Sequence, residues 1–113
     1  MEVFQHHIYE YKKGLRRMVL HTAPAQHEEW ISRKLAAQGI THLIVPVSES
    51  KINVFFGDPE YIKVIQSFGK LNLVELSDEQ DFILGALLGY DLALQCKRLL
   101  RRRNAAGRIC SCG

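Results

Sequence analysis

Hydrophobic positions along the chain change from helical spacing to alternation and back. Phe4, Ile8, Tyr11 and Leu15 stand four, three and four apart, which predicts an amphipathic helix over residues 3–13 with Gly14 as its stop. A strand competes for the same residues, because Val, Phe, Ile and Tyr also suit a pleated surface. Residues 16–23 (RRMVLHTA) alternate as a strand, with Met18 and Leu20 on one face and Val19 and His21 on the other. Pro24 breaks that run. Trp30, Ile31, Leu35 and Ala36 then form a second helical stripe, with Glu28 and Glu29 near its positive end and Gly39 closing it.

The centre of the pattern is Thr41 to Asp58. Two runs rich in Val, Ile and Phe, Leu43–Val47 and Ile52–Phe56, flank the polar connector Ser48-Glu49-Ser50-Lys51 and predict a β-hairpin. Alternation sets Leu43, Val45 and Val47 on one face of its first strand. On the second strand it sets Ile52, Val54 and Phe56 on one face and Asn53 and Phe55 on the other. Pro46 has no amide to donate, so its strand belongs at a sheet edge or carries a bulge. Gly57 allows a tight turn, Asp58 can cap, and Pro59 suits the first position of a helix that buries Tyr61, Ile62, Ile65 and Phe68.

Residues 70–76 (KLNLVEL) fit a short fourth strand or an extended linker. Ser77-Asp78-Glu79-Gln80 has the spacing of a capping box, opening a long helix from Asp78 to about Leu100. On that helix Gly85, Gly89 and Ala93 recur every four residues. Phe82, Leu84, Leu87, Leu88, Leu92 and Leu94 surround them. Glycine inside a helix costs about 0.8–1 kcal/mol relative to alanine, so the stripe needs a packing reason. A helix apolar on so many sides predicts two partners, one of them a symmetry mate, with Phe82, Gly85, Leu88, Gly89, Leu92 and Ala93 at the interface.

The element order, helix, strand, helix, strand, strand, helix, optional strand, long helix, predicts an α+β two-layer sandwich. A sheet of three or four strands in βαββα(β) order is covered by helices. One domain over residues 1–100 and a basic tail over 101–113 follow from length and charge. The net charge of +3 hides that division: six of the fifteen bases lie from Lys97 onward with no acid, leaving nine against twelve acids before them. Contact with nucleic acid is the minority reading of such a tail. Three cysteines, two of them in the last four residues, make no disulfide framework. No signal-peptide run opens the chain, and Asp91 interrupts its most apolar segment short of a membrane span. A cytoplasmic setting is expected.

Three stretches in order, HHIYEYKKG (His6–Gly14), INVFFGD (Ile52–Asp58) and DFILGALLGYD (Asp81–Asp91), resemble a small bacterial family known as domain of unknown function 2023. The resemblance covers residues 2–96. It implies a compact α+β homodimer without an assigned activity, and a genomic association with flavodoxins that points to a redox partner. The Arg-rich residues 100–113 lie outside it.

Candidate chemistry is sparse. No phosphate loop, G-x-S-x-G or H-E-x-x-H occurs. The paired acids at Asp78, Glu79 and Asp81 suit a helix N-terminus without further chemistry. Asp91 either faces water or meets Arg16 or Arg17. His6 and His7 point about 100° apart on a helix, while His6 and Glu10 share a face. A site joining His6 or His7 to His21 needs a third ligand that the sequence does not place. Cys110-Ser111-Cys112 is a weak soft-metal signal.

The reading is a non-enzymatic cytoplasmic homodimer that binds a ligand or partner, with no catalytic residue, metal or cofactor assigned. His6, His7, His21, Asn53 and Phe55 are the candidate ligand-binding residues, with His21, Asn53 and Phe55 on an uncovered sheet face. The alternatives are an accessory protein docking an acidic flavodoxin-like partner through its basic segment, and a metal enzyme or sensor using His6, His7 and His21.

Overall fold

The computed structural model describes residues 2–69 and 71–105. The chain divides into two compact units, residues 1–71 and 72–113. The first begins with helix α1 (Glu2–Lys12), strand β1 (Met18–Pro24), a single 3-10 turn (Ala25–His27) and helix α2 (Glu28–Ala37). Strands β2 (Thr41–Pro46) and β3 (Lys51–Gly57) form the hairpin, and helix α3 (Pro59–Gln66) follows. The three strands make an antiparallel sheet in the order β1-β3-β2. The hairpin is therefore central through β3, and Pro46 lies on the edge strand its chemistry requires.

Register decides which side chains share a face. Leu20, Phe55 and Leu43 are directly opposite one another, as are His21, Val54 and Ile44 one residue along. Leu43 and Val45 thus lie with Phe55 and Asn53, on the other side from Ile52, Val54 and Phe56. Phe4 and Ile8 of α1 and Ile31 and Leu35 of α2 join Val19, Ile52, Val54 and Phe56 in one core. Burying each such side chain contributes roughly 1.5–3 kcal/mol. The helical stripe of α1 is shorter than expected: Leu15 is exposed beyond Gly14, which ends the helix with φ 77°. Phe55, on the opposite face, is fully buried, and α3 packs on β2 and β3 with Ile62 and Ile65 buried.

Gly57 closes β3 with φ 150° opposite Met18. A Cβ there would fall on the Arg17 carbonyl oxygen and 2.7 Å from Met18 Cα, so only glycine fits between the two backbones. Asp58 makes no side-chain cap to α3, contrary to expectation. Its carboxylate is taken by Tyr11 Oη at 3.0 Å and Arg17 Nη1 at 3.2 Å.

The second unit begins at Asn72, and residues 71–76 are not a strand. They form a turn in which Asn72 accepts from the Val74 and Glu75 amides. The capping box is present: Ser77 Oγ accepts from the Gln80 amide at 3.1 Å, and Gln80 Oε1 from the Ser77 amide at 3.0 Å. The helix it opens is not the long one expected. It breaks into α4 (Asp78–Leu87) and α5 (Leu92–Ala105). Gly89, with φ 82°, donates to the Ala86 carbonyl and Tyr90 donates to that of Gly85, a Schellman ending. Asp91 faces water and restarts the chain, its Oδ1 accepting from the Ala93 amide at 2.8 Å. The boundary expected at residue 100 falls inside α5, and residues 106–113, with the Cys-x-Cys pair, lie outside the described residues.

Candidate functional site

Two surfaces hold the candidate residues. The first is the rim where α1 meets β1. Three and four residues apart on α1, His7 and His6 both turn toward Glu10. Glu10 Oε1 lies 3.3 Å from His7 Nδ1, 3.9 Å from His6 Nε2 and 4.0 Å from Arg16 Nη1. His21 projects from β1 on the face that carries the core. Its ring meets that of His7 edge-on at 5.5 Å between centroids and lies at 5.2 Å from Phe4. Burial holds the His21 imidazole below its ordinary pKa; neighbouring His7 and the chain's amino terminus act in the same direction.

The five expected ligand-binding residues therefore do not form one site. His7 and His21 are together, and His6 is largely exposed on the outer side of Glu10. Asn53 and Phe55 lie on the opposite sheet face from His21, and both are buried, so that face is not open as expected. Asn53 Oδ1 accepts from Thr22 Oγ1 at 2.7 Å. Among the described residues no group of three or more His, Cys, Asp or Glu is placed to hold a metal ion. His42 is structural. Its Nδ1 lies 3.1 Å from the Ile40 carbonyl, which can only accept, so in the neutral ring Nε2 accepts from Ser32 Oγ at 3.0 Å.

The second surface is α5. Gln95, Arg98 and Arg102, at i, i+3 and i+7, face α4. Gln95 fills the space left by Gly85. Arg98 grips Asp81 at 2.7 and 3.1 Å, and Arg102 reaches Asp78 at 3.1 Å, Asp81 at 2.8 Å and the Leu76 carbonyl at 3.0 Å. Arg103 pairs with Glu79. The acid and base clusters that one long helix would hold at its two ends are instead side by side in a helical hairpin. Sequence reasoning missed this seam, although Gly89 followed by Asp91 was its signal, a stop and then a cap.

The expected interface residues scatter accordingly. Leu88 is buried, Phe82 is half-buried, Gly85 meets Gln95 and Gly89 makes the turn. On the flank of α5 next to the face formed by Gln95, Arg98 and Arg102, Leu92, Cys96 and Leu100 stand four apart with Ala93 beside them and Arg103 at the stripe's end. Leu92 is 58 % and Leu100 55 % exposed, and α5 buries none of its side chains. Lys97 and Arg101 are exposed along this stripe.

A three-stranded antiparallel sheet with α1, α2 and α3, together with a helical hairpin carrying an open apolar stripe, defines a small α+β protein. The chain belongs to the family described as Protein of unknown function (DUF2023), whose model matches residues 2–102. No curated protein matches it. Among the described residues no helix is long and apolar enough to cross a membrane.

Proposed function

We propose that this protein is a non-enzymatic, cytoplasmic interaction protein that works as a homodimer, and that the outer stripe of α5 is its self-association surface. One observation carries the reading: α5 exposes Leu92, Ala93, Cys96 and Leu100, while Gln95, Arg98 and Arg102, which face α4, lie on a different face and only Arg103, at the far end of the stripe, reaches an α4 acid. The interface differs from the Gly85-Gly89-Ala93 stripe that the sequence suggested, because the break at Gly89 removes that stripe. One stripe on a 14-residue helix makes a small interface and hence a weak, reversible dimer.

Lys97 and Arg101 line the stripe, so pairing it with itself brings like charges together. Salt screens that repulsion, and the dimer tightens as ionic strength rises. The second reading, docking of an acidic flavodoxin-like partner, has the opposite salt dependence. Lys97 and Arg101 favour it, but Arg98, Arg102 and Arg103 are already engaged with α4 acids. Sedimentation velocity between about 1 and 100 μM, at two salt concentrations, separates the readings. A dimer that strengthens with salt and is lost in Leu92→Lys and Leu100→Lys supports self-association. A monomer throughout the range ends it.

A further inference from the structure

We propose that His7 and His21 form a pH-responsive clasp between α1 and β1, loosening the first helix as the solution turns mildly acidic. The device is geometric. His21 lies between the Phe4 ring and the His7 ring, both supplied by α1, with centroids 5.2 and 5.5 Å away. Phe4 and Ile8 are the two buried residues of α1, so the histidine contact adjoins the hydrophobic anchor of that helix.

The charged groups around it are few. From the α1 end of the chain come His7, Glu10, farther out His6, and the amino terminus, which acts on His21 in the same direction as His7; the turn after α1 supplies Arg16, and His6 and Arg16 approach Glu10 rather than His21. From α2 comes Trp30 against Phe4, with Lys34 over its indole. Across the sheet His21 is opposite Val54, which carries no charge. Glu10 faces His7 Nδ1, so the carboxylate of this cluster is turned to His7 and not to His21. A proton on His21 is held against the edge of the His7 ring and beside a phenyl ring. No other carboxylate approaches it among the described side chains.

The direction follows. The clasped helix holds the His21 imidazole below its ordinary pKa, whereas a released helix returns it to ordinary ionisation at about 6.5. Release therefore takes up a proton, and the clasp is intact above that value and weakens as pH falls through it. At about pH 5.5 a freed histidine is protonated about ten to one, so the released population rises by up to about tenfold over that at neutral pH.

Hydrogen exchange of the α1 amides on the full chain, corrected for intrinsic rates, tests this between about pH 7.5 and 5.5. The wild type is expected to lose α1 protection by up to tenfold while amides at the centre of β3 keep theirs. His21→Gln is expected to flatten the response. His7→Gln, on the more exposed side of the contact, is expected to reduce it and serves if His21→Gln does not fold. A wild-type helix whose protection ignores pH overturns the clasp, as does an undiminished response in His7→Gln.

Discussion

At the residue scale, Asp58 shows how one carboxylate gathers three segments. Its oxygens take Tyr11 from α1 and Arg17 from the turn before β1, while its own amide donates to the Arg17 carbonyl at 2.9 Å. Burial, and after it the hydrogen bond to Asp58 and that carboxylate's charge, raise the Tyr11 phenol above its usual pKa of 10. The folded state thus favours the protonated phenol. Its contribution to stability is complete below about pH 10 and is lost as pH rises through the raised value. Tyr11→Phe is expected to cost about 1 kcal/mol at neutral pH, since half-exposed Asp58 regains water, and to remove this alkaline loss. Denaturant unfolding at neutral pH and above pH 10 measures both. Nothing in the spacing of Tyr11 and Asp58, 47 residues apart, made this tie legible. By contrast, the Ser77–Gln80 capping box was legible because both partners lie within one turn.

At the element scale, local signals served well wherever they did not compete. Gly14, Pro24, Gly39 and Pro59 each punctuate the chain where expected, and alternation in residues 52–56 gave the central strand. The error lay in reading Gly85, Gly89 and Ala93 by periodicity alone. A four-residue repeat looks the same whether the helix continues or stops, and φ at Gly89 is a backbone fact that spacing does not carry. The two glycines have different work. A Cβ at Gly85 would meet only the far end of the Gln95 side chain, whereas at Gly89 it would meet nothing within 4 Å but sit at φ 82°. Gly85→Ala gains about 1 kcal/mol of helix propensity, offset by moving Gln95, and is expected to stay within about 1 kcal/mol of wild type. Gly89→Ala loses about 1–2 kcal/mol to left-handed strain. Thermal unfolding of the two variants should therefore separate them in that order; equal losses would mean that both glycines are packing devices on a single face. The candidate histidines were partly legible for the same reason. Helical spacing joined His6 to Glu10, but only the register of β1 against β3 places His21 beneath His7 and turns it away from Asn53.

At the scale of the whole molecule, the proposed self-association would couple to stability. A ligand that binds only the folded state stabilises it by mass action, and for a homodimer that ligand is the protein itself. Unfolding enthalpy near 60 °C is about 0.7 kcal/mol per residue, hence about 160 kcal/mol for two chains of 113 residues. With that enthalpy, a dimer that melts directly to unfolded chains gains about 3 °C in melting temperature for each tenfold rise in concentration. A folded monomer gains nothing. The α5 stripe assigns the coupling to two side chains that are exposed and hold no other element in place. Leu92→Lys and Leu100→Lys should therefore leave the melting temperature at high dilution near that of the wild type while abolishing its concentration dependence. Charge at these positions on a monomer costs little, because surface substitutions away from packed features stay within about 0.5 kcal/mol. Calorimetry or circular dichroism across two decades of concentration reads both quantities. A wild-type melting point that does not move, or variants that melt lower at every concentration, would assign Leu92 and Leu100 to the fold of a single chain instead of to a contact between two.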